Sequence, residues 1–235
     1  MQDFGSAFYL AFELIWEADA GLLEIILLSL YVSLSAALIA GFLGLIVGAL
    51  LAVARFRGRL AIVVFLNALM GLPPVVIGLC VYMVLSNAGP LGWLKLLYSP
   101  GAMIIAQVIL VMPIVAGLSR QVLEDLYSEY SELFLSIGVS RWRAIQTLLW
   151  DARYSLVTVV LAGFGRAIAE VGAVIIVGGN IKHVTRVMTT AIALETSKGA
   201  LALALALGMI LICISLGVNF SAYLLRNKVA GNRHA

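Results

Sequence analysis

Charge is what this sequence has least of: Asp, Glu, Lys and Arg make up 11% of its 235 residues, against about 25% in a soluble domain. A soluble globular chain is thereby excluded, and the 63% of hydrophobic residues and mean hydropathy of +1.10 agree. Histidine is almost absent, at His183 and His234, which leaves little metal chemistry. The two cysteines, Cys80 and Cys213, lie inside apolar runs and read as small buried hydrophobes without a disulfide. No G-x-x-x-x-G-K-[ST] phosphate loop occurs, so the chain itself does not bind and hydrolyse ATP in the usual way. A nucleophile elbow, paired His and Cys ligands and an acid–base pair at membrane depth are missing too, which argues against an intramembrane enzyme. Nothing basic precedes the first apolar run, which is too long for a signal-peptide core, so no cleaved targeting segment is expected.

What is there is a series of long apolar runs. From Ile25 to Ala54 no residue is charged, and similar stretches recur. Segments able to cross a ~30 Å hydrocarbon core run over Glu24–Ala54, Leu60–Ser86, Gly101–Ser119, Tyr154–Gly178 and Ala200–Leu225. They are apolar on all sides for far longer than the ten-residue alternation of barrel strands, so helices are expected. The sequence predicts an all-α polytopic membrane protein with five transmembrane helices, residues 1–235 forming one transmembrane domain.

The net charge of +3 and pI near 9.0 would suggest nucleic acid in a soluble chain. Here the basic residues stand in short clusters beside the apolar runs, so no nucleic-acid partner is expected and the clusters report orientation. One alternating set of connections holds Arg55, Arg57, Arg59, Arg120, Arg141, Arg143, Arg153, Arg226, Lys228 and Arg233; the other holds only Lys95, Lys182, Arg186 and Lys198. Retention of basic residues in the cytoplasm places the N-terminus outside and the C-terminus inside. Residues 1–23 agree, with Asp3, Glu13, Glu17 and Asp19 but no Lys or Arg. Phe4, Phe8, Phe12, Ile15 and Trp16 among these acids suggest a short external interfacial helix, or a collar packed on another span.

Proline and glycine mark imperfections. Leu72-Pro73-Pro74 interrupts the second run and Pro113 lies in the third, while Gly44 and Gly48 form a GxxxG pair that reads as intrachain packing rather than a dimer seam. The Pro-Pro break is expected beside protein or a water-filled cavity, because a freed carbonyl is costly at membrane depth.

Residues 120–153 form the one substantial cytoplasmic segment, too short for an independent catalytic domain. Ser128 to Ile137 reads as a short amphipathic helix stopped by Gly138, and a second helix starts after Ser140 as N-cap. This helix–glycine–helix knob fits docking to a soluble partner and equally a hairpin lying on lipid headgroups.

Glu132-Leu133-Phe134, then Gly138, then Arg141-Trp142-Arg143 resembles the E-A-A-x-x-x-G motif of permease subunits in ATP-binding cassette importers, with Leu133 and Phe134 in place of the two alanines. Gly165 to Ala173 with Gly178-Gly179-Asn180-Ile181 is similar to molybdate and tungstate importer permeases. Thr185 to Thr196 and Leu72 to Leu79 are most similar to the tungstate branch. The resemblance implies a type I importer permease fold in a prokaryotic cytoplasmic membrane. It also implies a coupling segment of Glu129, Glu132, Leu133, Phe134, Gly138, Arg141 and Arg143. Implied partners are a second copy of the chain, two ATPase subunits and an extracytoplasmic oxyanion-binding protein. No cofactor is expected in this chain; ATP and Mg belong to the ATPase. Import of tungstate or molybdate is the implied function, with a sulfate or other oxyanion permease and an ATPase-independent channel or ion-driven transporter as alternatives.

Arg166 and Glu170 fall near the middle of the fourth run, where an unpaired charge costs at least ~2.5 kcal/mol. Their i,i+4 spacing puts them on one helix face, as a mutual or cross-dimer pair; the other reading is an electropositive path in which Glu170 fixes the Arg166 rotamer. Lys182, His183 and Arg186 cluster after Asn180, where they would receive an oxyanion or dock the binding protein; ordinary solvation of a loop is the plain alternative.

Overall fold

The computed structural model describes residues 4–17 and 19–232, with side chains over 8–17 and 19–224. Asp3, Arg233 and His234 lie outside the described residues. All regular structure among the described residues is helical: α1 (Phe4–Trp16), α2 (Ala20–Val53), α3 (Arg59–Met70), α4 (Pro74–Leu85), α5 (Pro100–Ser136), α6 (Arg141–Asp151), α7 (Arg153–Ile168), α8 (Gly172–Gly178), α9 (Met188–Lys198) and α10 (Leu201–Asn232), with a single 3₁₀ turn at Gly92–Leu94. Three stretches are long and apolar enough to cross a membrane alone, α2, α5 and Leu201–Leu224 of α10. The number rises to five if the bent pairs α3 with α4 and α6 with α7 each count as one span.

Several expected boundaries move, each for a local reason. The first run starts earlier, at Ala20, because the Asp19 carboxylate accepts a hydrogen bond from the Leu22 amide at 2.9 Å, as an N-cap does. The third run does not end at Ser119: α5 continues through Pro113 to Ser136, so the amphipathic stretch from Ser128 is the end of a 37-residue helix rather than a separate one. The second run breaks at Gly71–Pro73 as expected, since each proline disfavours helix in the residue before it; Pro73 is extended (φ −63°, ψ 125°) and Pro74 takes the first helical position of α4.

The fourth run breaks as well, without any proline. α7 stops at Ile168 and α8 begins at Gly172, so Glu170 does not share a helical face with Arg166, as a continuous helix would require. The break lets α8 pack on α4 at very close range: a Cβ on Gly78 would meet Ala173 Cα at 2.7 Å, and one on Gly172 would meet Val75 Cγ2 at 2.8 Å. Helix α9 lies between the fourth and fifth apolar runs.

The chain divides into two compact units, Met1–Ala36, Pro73–Gln107 and Ala167–Gly217 in the first and Ala37–Leu72, Val108–Arg166 and Val218–Ala235 in the second. In the second, α2 lies against α5 through the glycine pair. A Cβ on Gly44 would meet Val115 at 2.8 Å, and one on Gly48 would meet the Ala116 carbonyl at 2.8 Å, so the GxxxG match serves packing within the chain. A separate apolar core gathers Leu123, Leu126, Phe134, Ile145, Leu148 and Leu156.

The surface is as apolar as a bilayer requires. Leu27, Tyr31, Leu34, Leu38 and Phe42 form an exposed stripe along α2, and Ile212, Leu216 and Phe220 another on α10. Cys80 and Cys213 are free, as expected, but both are exposed rather than buried. In a bilayer a small apolar side chain meets lipid or a neighbouring chain without penalty, so burial within the chain is not needed.

Candidate functional site

The knob between α5 and α6 is built by two capping devices. At the end of α5 the Val139 amide donates to the Phe134 carbonyl at 2.9 Å and the Gly138 amide to the Leu135 carbonyl at 3.3 Å, the paired bonds of a Schellman motif. Gly138 sits in the left-handed region at φ 65°, which a side chain with a Cβ adopts only with strain. Two residues on, the Ser140 hydroxyl accepts from the Arg143 amide at 3.4 Å and starts α6. Helix, glycine and helix are therefore fixed to one another by main-chain geometry, as the sequence predicts.

The residues expected from the sequence to couple to an ATPase do not all face the same way. Phe134 is buried, its ring centroid 6.2 Å from Tyr127 and 5.8 Å from Tyr130 in the core beneath the knob; it anchors the knob rather than presenting a contact. Ala144, Ile145 and Leu148 close that core from α6, and the Tyr130 hydroxyl donates to Asp151 Oδ2 at 2.7 Å, tying the two helices. Arg153 lies over the Trp150 and Tyr154 rings at 4.8 and 4.6 Å. Outward stand Glu129, Glu132, Leu133, Gly138, Arg141 and Arg143, joined by Leu135, Ile137 and Trp142. Leu135 is 82% exposed; it stands at an unspecified position of the motif, which therefore does not mark it. An exposed apolar cap ringed by both signs of charge has the composition of a protein-docking surface.

The helix α5 extends ~55 Å at 1.5 Å per residue, well beyond a ~30 Å hydrocarbon core. Its last turns, from Glu124 onward, carry most of the charged residues of the helix.

In the first unit, Glu170 holds the break between α7 and α8. It is buried, its carboxylate accepts from the Ala173 amide at 3.2 Å, and its carbonyl accepts from the Thr189 hydroxyl at 2.8 Å. Nearby the Gln107 side-chain amide donates to the Ala167 carbonyl at 3.0 Å. Glu170 is thus built into the backbone of the turn, a role consistent with structure rather than substrate contact. Arg166 stands half-buried in the last turn of α7.

The loop after α8 is wired internally. The Thr185 hydroxyl donates to the Gly178 carbonyl at 2.5 Å and accepts from the Ile181 amide at 3.0 Å, while Thr190 and Asn180 bond side chain to side chain at 3.0 Å. The three basic residues of the loop line a cleft of about 430 Å³ with Lys198, Asp19, Glu24 and Glu195. His183 Nδ1 lies 2.6 Å from Glu24 Oε2, Arg186 Nη1 lies 3.8 Å from Glu195 Oε1, and Lys198 Nζ lies 3.0 Å from the same oxygen. The cluster is therefore balanced by carboxylates from distant positions. Lys182 is exposed and stands outside these pairs, and the local field is weaker than three neighbouring bases alone would give.

Comparison with known proteins agrees with this architecture. Residues 40–231 match the family described as the binding-protein-dependent transport system inner membrane component. The chain is 39% identical over 228 residues to the tungstate uptake system permease protein TupB of Peptoclostridium acidaminophilum, covering 97% of this chain and all of that one. It is 38% identical to a probable anion ABC transporter permease protein of Haloferax volcanii, over 89% of this chain and 93% of the relative. The sulfate transport system permease protein CysT of Escherichia coli is 29% identical over 87% of this chain and 76% of its own length. The helices, the projecting knob and these similarities together identify a multi-pass protein of the inner membrane, and the chain belongs to the binding-protein-dependent transport system inner membrane component family.

Proposed function

We propose that this chain is the permease subunit of an ATP-driven importer that carries a tetrahedral oxyanion into the cytoplasm, tungstate first and molybdate second. The observation that carries the substrate assignment is end-to-end similarity to a permease named for tungstate uptake at 39% identity, against 29% for one named for sulfate. On this reading two copies of the chain assemble with two ATPase subunits and receive substrate from an extracytoplasmic binding protein. The membrane holds five spans with the N-terminus outside, following the distribution of Lys and Arg.

Coupling follows from the knob. When the ATPases close on ATP, a rigid projection seated in each is carried with it. Helix α5 is continuous from the knob into the apolar region, so the displacement is passed on as a rigid-body shift of a span rather than absorbed in a flexible loop. ATP and its Mg remain the ATPase's ligands. Substrate selection rests largely with the binding protein, since a dianion is most readily discriminated before its hydration shell is lost to a shared path.

The test is oxyanion accumulation, measured by elemental mass spectrometry in cells carrying or lacking the chain. The proposal expects tungstate uptake to disappear on deletion and return with the wild-type chain, with molybdate competing and sulfate not. Sulfate as the sole competitor would move the assignment to the sulfate reading.

A further inference from the structure

The end of α2, the turn at Ala54–Gly58 and the start of α3 face α5 across a cleft of about 440 Å³ lined by Ala52, Arg55, Phe56, Arg59, Glu124, Tyr127, Ser128 and Ser131. Its charge does not balance. Arg59 and Arg120 both bond to the carboxylate of Glu124, and Arg59 Nε also donates to the Leu51 carbonyl at 2.8 Å. Among the described residues Glu124 is the one acid lining the cleft, whereas Arg55 is exposed there and Arg57 is exposed in the adjoining turn, outside the lining. Three guanidinium groups, those of Arg55, Arg59 and Arg120, thus stand around one carboxylate.

Helix α3 sharpens the excess. It starts at Arg59 with no side-chain cap, after Gly58 at φ 94°, so its positive end adds to the field of three arginines instead of opposing it. An anion is what this geometry lacks, and the hydroxyls of Tyr127, Ser128 and Ser131 line the same cleft.

The flank of the cleft is apolar. Phe56 is exposed in the turn, and Leu60, Val64 and Phe65 are exposed along α3. Basic groups over a cleft with room for a phospholipid headgroup, continued by an exposed apolar helix face, fit a molecule with an anionic head and a hydrocarbon tail. An acidic protein surface would satisfy the arginines and leave that face without a partner.

We propose that this cleft binds the phosphate of an anionic phospholipid, with Arg55 and Arg57 as the cations that capture it, Arg59 held by Glu124 as the fixed wall, and Leu60 and Val64 bedding the acyl chain. Only the choice of leaflet depends on the proposed orientation; whichever anion is transported, the site stands or falls alone.

The experiment uses the full-length chain in detergent and measures thermal unfolding and lipid retention by native mass spectrometry. Probes are phosphatidylglycerol, phosphatidylcholine and inorganic phosphate. Phosphatidylglycerol is expected to raise the unfolding temperature and be retained, phosphatidylcholine much less, and millimolar phosphate not to compete. Retention in Arg55→Gln/Arg57→Gln should fall about fivefold for each arginine removed, while the lipid-free unfolding temperature stays near the parent's because neither group holds Glu124. Should the double variant fail to fold, Arg57→Gln alone carries the test, and Lys182→Gln serves as the control that keeps full retention. Equal retention of both lipids, or undiminished retention in the variants, would overturn the proposal; competition by inorganic phosphate would reassign the cleft to a soluble phosphate compound and overturn the lipid.

Discussion

Glu124 shows how a residue's role is set by partners the local sequence does not contain. Its tie to Arg120 is one helical turn long and readable as an i,i+4 pair, but Arg59 comes from 65 positions away. Replacing Glu124 with Gln leaves two guanidinium groups facing one another in a partly screened cleft. The cost lies between that of an exposed pair and a buried one, about 1 to 3 kcal/mol. Arg120→Gln, which leaves the Arg59 pair intact, should cost less. Thermal unfolding of the two variants checks the order; a Glu124→Gln variant as stable as the parent would remove the shared-carboxylate account. The outer cleft teaches the same lesson, since Glu24 lies 159 positions from His183. There Lys182 and Arg186 part company. Arg186→Gln should destabilise the protein, because it leaves the buried Glu195 with one partner fewer. Lys182→Gln should leave stability unchanged and, if this face receives the binding protein, slow association at low salt. Stopped-flow association read beside unfolding temperature separates the two.

At the scale of elements, the sequence predicts what local chemistry controls. Gly138 as a left-handed stop, Ser140 as an N-cap and the Pro-Pro break all depend on residues within a few positions, and all are found. The continuity of α5 and the break before α8 were not legible. A proline inside an apolar run is tolerated when neighbouring helices hold the run together, and the break before α8 goes with close contacts from α4, Val75 on Gly172 and Gly78 on Ala173, that no local pattern reports. The left-handed Gly138 gives a graded prediction. No atom lies within 4 Å of a Cβ built there, so substitutions act through backbone strain alone. Asn, which tolerates this region, should retain most coupling, Ala should lose about 1 kcal/mol of local stability, and Val more. ATPase stimulation by the assembled complex should fall in the order Gly, Asn, Ala, Val; a Val variant with parental stimulation would show that the Schellman geometry is not needed. Gly78→Ala tests the α4–α8 contact differently, because its Cβ meets main chain rather than a mobile side chain. Overpacking of about 1 to 3 kcal/mol is expected, with a lowered unfolding temperature in detergent.

For the whole molecule, the exposed apolar surface is the link between fold and function. In the apolar windows of α2 and α5, 56% of residues are buried within the chain, but in that of α10 only 17%, so α10 presents most of its length to lipid or a second copy. The fold class was legible because charge depletion and long apolar runs act over the whole chain, whereas the balance of the outer cleft depends on contacts no pattern reports. Orientation is checked by cysteines in intact cells: His183→Cys should react with a membrane-impermeant thiol reagent and Ser128→Cys should not, in a background where Cys80 and Cys213 are replaced.

The central claim, that the chain is the membrane path of an ATP-driven oxyanion importer coupled through the knob, is tested most directly in proteoliposomes holding the chain with its ATPase and binding protein. Tungstate accumulation should require ATP and the loaded binding protein, and should vanish with Glu132→Lys or Gly138→Val while the chain still inserts. Accumulation that persists without ATP, or that is unaffected by both variants, would contradict it.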